Sequence, residues 1–305
     1  MRIAVMGSGG VGGYYGALLA RAGNQVTFIA RGAHLEAIRR NGIHIKSREG
    51  EFTVQAPATD DPGQVEPVEL VLFTVKTYHN AQAIPLLKPL VSGETAVLTL
   101  QNGVESYLEL QQGLGPQCVL PGLTYVAAEV EAPGVIRQQG RMVAVIFGEL
   151  SGEASPRTTR VLETFQQAGI DITLTSEVLK ELWTKFIFIA TLAGVTTACR
   201  TRLEVLLEHP ETQRMLLDCA EEIAAVGRAK QVALDEDVVA KTVQRCESAA
   251  RHLKASMHTD LEQGRPLELE ALNGAVARMG SELGIPTPVN RLIYAMLTPY
   301  VQGAP

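Results

Sequence analysis

The sequence predicts an α/β protein, a Rossmann-type doubly wound sheet at the N-terminus joined to an all-α C-terminal domain, and three observations predict it. Strand and helix signals alternate through the first part, the pattern of a parallel sheet with crossover helices. A Gly-x-Gly-x-x-Gly turn, Gly7 to Gly12, follows the first strand-like run and opens the first helix-like one. Beyond about residue 175 only the 3.6-residue period of helices remains. At 305 residues the chain is long enough for two domains, which we set at 1–174 for the dinucleotide and 175–305 for the substrate and catalytic groups.

The elements follow in order. Arg2 to Met6 is an apolar run with strand character. Val11 to Ala22 has helical periodicity, with Gly23 where a left-handed C-cap is expected, and Gln25 to Ala30 is the second strand. Residues 32–41 read as a helix, and Gly42 to Pro57 alternates about Arg48-Glu49-Gly50, which predicts a hairpin decorating the sheet. Leu70 to Val75 and Ala96 to Leu100 are nearly unbroken apolar runs, as central strands buried on both faces require. Between Val119 and Phe147 three short runs, Leu123 to Val130, Val135 to Arg137 and Met142 to Phe147, predict an antiparallel extension broken by Gly and Pro. A helix near Pro156 to Ala168 and a strand near Ile170 to Leu174 complete the sheet. Helical segments follow at Val178 to Ala198, Pro210 to Lys230, Glu236 to Leu253 and Leu267 to Leu283, with Pro286-Thr287-Pro288 as a stop before a final helix.

Composition narrows the function. With 46% hydrophobic and 20% charged residues the chain is globular rather than disordered. A net charge of −6 provides no broad positive field, so nucleic acid is not expected as a partner. Cys118, Cys199, Cys219 and Cys246 form no C-x-x-C pair and have no histidine at ligand spacing, which points to reduced thiols and no metal. The strand-like start leaves no room for a secretory leader. Leu182 to Ala198 is interrupted by Lys185 and falls short of the ~20 residues that cross a bilayer, so it reads as a buried helix. The expectation is a cytoplasmic protein with no membrane partner. The six histidines, His34, His44, His79, His209, His252 and His258, show no triad and read as structural or surface residues. Trp183 and Tyr125 read as packing groups.

The glycine turn carries the first functional reading. Gly7 permits the tight turn and Gly9 lets the backbone at Ser8, Gly9 and Gly10 approach a pyrophosphate. Gly12 allows close helix–strand packing, and the N–H groups around Val11 face the anion at the helix start. Gly13 and Gly16 extend a small-residue packing face. At the end of the second strand, where NAD-binding proteins carry an acid for the ribose 2′-hydroxyl, this chain has Arg31. A planar guanidinium suits a 2′-phosphate, which favours NADPH/NADP+, and Lys76, at the end of another central strand, can add a second charge. On the residues alone, Arg31 also reads as a solvated loop arginine and Lys76 as an ordinary surface lysine.

The second reading concerns Lys185, set among Trp183, Phe186, Ile187 and Phe188. Burial penalises its ammonium, lowers its pKa and prepares it to exchange a proton near neutral pH, although a lone lysine of this kind also reaches water by extending its stem. Downstream, Ser256-Met257-His258-Thr259-Asp260 and Gly264-Arg265-Pro266-Leu267-Glu268 place a hydroxyl and a carboxylate on either side of a loop. Alone, Glu268 also reads as an acid favoured at a helix N-terminus.

Taken together, the glycine fingerprint, Lys76, Gln101-Asn102-Gly103, Trp183-x-Lys185, Ser256-Met257-x-x-Asp260, Gly264-x-Pro266-x-Glu268, Asn273-Gly274 and Gly284-Ile285-Pro286-Thr287-Pro288-x-Asn290 resemble the ketopantoate reductase family over nearly the whole chain. The resemblance implies a Rossmann domain and a helical domain with the site in the cleft between them. It implies an activity in which NADPH reduces 2-dehydropantoate to pantoate on the route to pantothenate and coenzyme A. It further implies that Lys185 is the general acid for the new alkoxide and that Glu268 positions Lys185 and the substrate hydroxyl. Asn102 and Ser256 would hold substrate or nicotinamide, and Arg31 and Lys76 would bind the 2′-phosphate. The chain departs from the family where members commonly carry asparagine: Ile189 and Ala193 follow Lys185 by one and two helical turns, and Leu253 precedes Ser256. A more apolar pocket follows. Two alternatives stay open, a related reductase of another 2-oxo acid and a non-catalytic NADP(H)-sensing regulator. The expected partner is a small-molecule 2-oxo acid; a homodimer is compatible with a helical domain of this size, though no stripe marks an interface.

Overall fold

The computed structural model describes residues 1–248 and 254–304. Their contacts divide the chain into two compact units, Met1–Gln101 with Glu105–Val178, and Asn102–Val104 with the chain from Leu179 onward.

The first unit runs β1 (Arg2–Met6), α1 (Gly10–Arg21), β2 (Gln25–Ile29), α2 (Gly32–Asn41), β3 (Ile43–Ser47), β4 (Gly50–Val54), β5 (Ala58–Thr59), β6 (Leu70–Phe73), α3 (Asn80–Ala83), β7 (Ala96–Thr99), α4 (Ser106–Leu114), β8 (Val119–Ala132), β9 (Val135–Phe147), α5 (Pro156–Gln167) and β10 (Ile172–Leu174). The strands form one sheet in the order β4-β3-β9-β8-β7-β6-β1-β2-β5, with β10 pairing β9. Its centre is parallel, with β1 between β2 and β6 and β7 beyond β6. The two-residue period of these strands sends Ile3, Val5, Leu70, Leu72 and Leu98 to one face with Tyr15, Leu19 and Phe165. Ala4, Met6, Val71, Phe73 and Val97 go to the other face with Leu87 and Leu110. Both faces are covered, which is why these runs are apolar without alternation. The Rossmann-type expectation is borne out.

Two details differ. The hairpin of β3 and β4 does not decorate the sheet; β3 pairs in parallel with the start of β9, His44 opposite Val135 through Lys46 opposite Arg137, and so extends the edge. The three short runs after Val119 are two long strands, because β8 begins parallel to β7 at Val119 and then turns antiparallel to β9. Gly122 does not break β8: a Cβ there would lie 2.8 Å from Leu98 Cδ1, so the glycine permits close packing inside the strand. Irregularity is absorbed instead by register shifts between Tyr125 and Ala127 and between Val130 and Ala132.

The remaining helices are α6 (Val178–Cys199), α7 (Leu203–Leu206), α8 (Pro210–Ala229), α9 (Val238–Ser248), α10 (Ser256–Glu262), α11 (Ala275–Leu283) and α12 (Pro288–Leu297), with a π-helical turn at Glu270–Gly274. By length and composition α6 could cross a membrane, but most of it is buried, with Phe186, Ile187, Ala190 and Val195 in one core with Ile223 and Ala224 of α8 and Val276 of α11. The stretch between Ser256 and Glu268, read as a loop bracketed by a hydroxyl and a carboxylate, opens with helix α10. The helix expected from Leu267 begins only at Ala275, after the π turn in which Leu272 leaves helical dihedrals (φ −107°, ψ −106°). Leu253 and His252 lie outside the described residues.

Candidate active site

The glycine turn is built from the backbone outward. Gly7 sits at φ +99°, and a Cβ there would lie 2.6 Å from Val75 N, so only glycine fits on both counts. A Cβ on Gly10 would lie 2.0 Å from Ala128 O, and one on Gly12 2.3 Å from both Gly7 O and Thr74 Oγ1. Thr74 uses that space, donating its hydroxyl to Gly7 O at 2.8 Å. Gly13 and Gly16 are packing positions against Ile136 and the Phe28 ring. Gly9 differs from all of these: nothing lies within 4 Å of where its Cβ would be. It is the N-cap of α1, which has no side-chain cap and no acid in its first turn. The N–H groups and positive dipole end of the helix therefore fit a phosphate.

Ser8 is buried and faces inward, its hydroxyl donating to Ile29 O at 3.0 Å and its backbone N–H to the same oxygen at 3.3 Å, so both side chain and backbone brace the turn. His34, in the first turn of α2, completes the brace. Its Nε2 donates to Ser8 O at 2.7 Å, while its Nδ1 accepts from Gly134 N–H at 3.0 Å. A ring that donates from one nitrogen and accepts at the other is neutral, and burial holds the His34 pKa below the usual histidine value. Its role was not legible in the sequence, because Gly134 is 100 positions away.

Arg31 caps the start of α2 from the end of β2 and is exposed, and Lys76 directly precedes a 3-10 turn, Thr77–His79, just past β6. Because β1 lies between β2 and β6, these cations flank the glycine turn at the carboxyl end of the sheet. His79 reports that proximity: burial lowers its pKa first, and the charge of Arg31 lowers it further. Open backbone N–H groups beside two cations fit an anionic dinucleotide.

The lysine pocket belongs to the helical unit. Lys185 lies near the start of α6, is 5% exposed, and donates from Nζ to Asn102 Oδ1 at 2.9 Å. Burial pulls its pKa from 10.5 down to about 8, the carboxylate of Glu268 opposes that shift, and the guanidinium of Arg245 adds to it. Glu268 is itself buried, two residues ahead of the π turn, and so is no solvated helix-terminal acid. Asn102 reaches this unit because Gln101 anchors the preceding backbone, donating from Nε2 to Val75 O and to Asn80 Oδ1, each at 2.7 Å. Gly103 then takes φ +98°, where a Cβ would stand 3.0 Å from Ala271 O. Such an ammonium can give up and regain a proton near neutral pH.

Lys185, Asn102 and Glu268 are thus brought together, whereas Ser256 is exposed at the start of α10. Ile189 and Ala193 continue the lysine side of α6 at four-residue spacing, Ala193 buried and Ile189 partly so. The motif residues Asn273 and Asn290 do framework work instead. Asn273 donates to Ala190 O and Asn290 Oδ1, filling the space where Gly194 has no side chain, and Asn290 donates to Glu222. Glu222 in turn accepts from the Val289 and Asn290 N–H groups at the start of α12. Arg245, absent from the sequence reading, emerges only through packing: its guanidinium carbon stands 4.4 Å over the ring centroid of Phe188. Among the described residues no cluster of three metal-ligating side chains occurs.

Residues 3–152 match the family described as Ketopantoate reductase PanE/ApbA, and residues 177–301 match Ketopantoate reductase PanE/ApbA C terminal. The chain is 29% identical to an uncharacterized oxidoreductase, YkpB, of Bacillus subtilis, covering 98% of this chain and 99% of that one. It is 30% identical to a 2-dehydropantoate 2-reductase of Mesorhizobium japonicum, covering 97% of each. A solved structure of a PanE/ApbA family ketopantoate reductase from Ralstonia eutropha JMP134 superposes with a TM-score of 0.91 at 32% identity, covering 99% of this chain and 98% of that one.

Proposed function

The chain belongs to the ketopantoate reductase family of NAD(P)-dependent oxidoreductases, and on that ground we propose that it uses NADPH to reduce the ketone of a small 2-oxo acid, with 2-dehydropantoate as the first substrate to test. The observation that carries the reading is Lys185: a lysine 5% exposed, hydrogen-bonded to Asn102, with its pKa drawn down to about 8. A globular core has no structural need for such a group, and holding an ammonium there costs about 3 kcal/mol for a shift of this size.

The glycine turn and the start of α1 hold the pyrophosphate, with Arg31 and Lys76 supplying charge for a 2′-phosphate. NADPH, when bound, supplies the hydride. Lys185 gives its proton to the carbonyl oxygen as negative charge develops there, and its own positive charge stabilises that oxygen beforehand. Glu268 keeps Lys185 protonated by its field, and Asn102 fixes the direction of the ammonium. Ser256 is assigned to substrate at the mouth of the site, in keeping with its exposure.

A second substrate reading has its own support. Ile189 and Ala193 offer no hydrogen bonds along the lysine side of α6, which favours a 2-oxo acid with an apolar side chain over one bearing a hydroxyl. NADPH oxidation measured against a panel of 2-oxo acids separates the two. Lys185→Ala should lower kcat by about 10²- to 10⁴-fold while NADPH binding is kept. Full turnover in that variant, or no turnover of any 2-oxo acid by the unaltered enzyme, would overturn the proposal.

A further inference from the structure

A planar trans peptide points its carbonyl and its N–H in opposite directions, so whatever holds one of them aims the other. The Ser8–Gly9 peptide is held in this way. Ser8 O accepts from His34 Nε2 at 2.7 Å, which turns the Gly9 N–H away from the imidazole. Among the described residues nothing in the chain accepts from that N–H, and nothing lies within 4 Å of where a Gly9 Cβ would be. The ring is fixed from its other side too. Its Nδ1 accepts from the Gly134 N–H at 3.0 Å, and the Gly134 carbonyl is anchored to β3 by accepting from the His44 N–H at 2.8 Å. Ser8 is committed in turn, since its hydroxyl and its N–H both donate to Ile29 O, at 3.0 Å and 3.3 Å.

We propose that His34 is a positioning residue of the cofactor site, holding the Ser8 carbonyl so that the Gly9 N–H points at the pyrophosphate of NADPH. The inference rests on the NADPH reading above and names what aims a donor of the glycine turn. In this role His34 touches no cofactor; it acts through a peptide plane. The two backbone contacts select one form of the ring. A carbonyl only accepts, so Nε2 carries the proton, and the Gly134 N–H only donates, so Nδ1 carries none. A rigid ring between two anchored peptides also answers a weakness of the turn. Glycine at position 9 lets a phosphate come close, but the same missing side chain leaves the peptide before it free to rotate, and an unaimed N–H holds an anion poorly.

The test measures the NADPH dissociation constant by titration, kcat at saturating NADPH, and the inhibition constant of adenosine 2′-phosphate, which carries the 2′-phosphate and no pyrophosphate. His34→Ala should weaken NADPH about tenfold, the worth of one hydrogen bond to a charged group, and leave adenosine 2′-phosphate nearly unchanged. Turnover at saturation should stay within about twofold, so that the loss lies in KM. His34→Gln, whose amide nitrogen and oxygen flank one carbon as the two ring nitrogens do, should restore most of the affinity. His34→Met has the same length and no donor, and should not. Equal losses on NADPH and on adenosine 2′-phosphate would show that His34 only supports the start of α2 around Arg31 and would overturn the inference. So would equal NADPH affinities in His34→Met and His34→Gln, the comparison that decides if His34→Ala does not fold. Failure of the unaltered protein to bind either NADPH or NADH would instead overturn the parent reading.

Discussion

The glycine turn and the lysine pocket solve opposite problems. The turn is defined by what it lacks: side chains are absent at Gly7, Gly10 and Gly12 because backbone or Thr74 occupies the space, and absent at Gly9 although the space is open. The pocket is defined by what it adds, a lysine, an asparagine, a glutamate and an arginine from separated stretches of chain, set beside a core that would otherwise be hydrocarbon. A site made of backbone is specified by a few neighbouring residues. A site made of buried charges exists only once a whole domain has packed.

The sharpest way to break that contrast is within the turn itself. Gly12→Ala should cost about 3 kcal/mol or more, because its methyl would meet Gly7 O and Thr74 Oγ1 at 2.3 Å, and thermal unfolding should record the loss. Gly9→Ala should leave stability within about 0.5 kcal/mol and yet weaken NADPH binding at least tenfold, as read by titration. Unchanged binding in Gly9→Ala would mean that the open face is not where the phosphate lies. A smaller effect is expected at Arg31. Its replacement by alanine should raise the NADPH dissociation constant about tenfold to a hundredfold and leave NADH nearly untouched, so equal losses for the two cofactors would reject a 2′-phosphate role.

The smallest expected effect lies in the pocket and is a displacement along the pH axis. On the proposed mechanism Lys185 acts in its protonated form, so kcat/KM should fall as pH rises through about 8. Glu268 holds that pKa up, and Glu268→Gln should therefore move the alkaline limb to lower pH. A limb that stayed in place would disconnect the carboxylate from the lysine.

Legibility in the sequence followed the same division. The sheet centre and the turn could be read because β1, β6 and β7 are apolar throughout and the glycines stand within six residues of one another. Lys185 stood out only as a charge among aromatics, and its partners could be named through family resemblance but not through spacing, since Asn102 is 83 positions away. Arg245 and His34 were missed for a physical reason: each is placed by a neighbour remote in sequence, Phe188 for one and Gly134 for the other. β8 was read as shorter pieces because local rules treat glycine as a break, whereas tertiary packing absorbs it, and the helix read from Leu267 missed the π turn before α11 because apolar periodicity runs through it unchanged.

Helix α6 has one more consequence, and it precedes folding. Between Leu182 and Cys199 the only charged residue is Lys185, and without it the segment would be an unbroken apolar stretch as it leaves the ribosome. A lysine raises the cost of lodging such a stretch in lipid by about 3 kcal/mol at the middle of a bilayer, and by less toward its edge. The lysine at the centre of the pocket thus also biases the newborn chain away from membrane insertion and toward its own core.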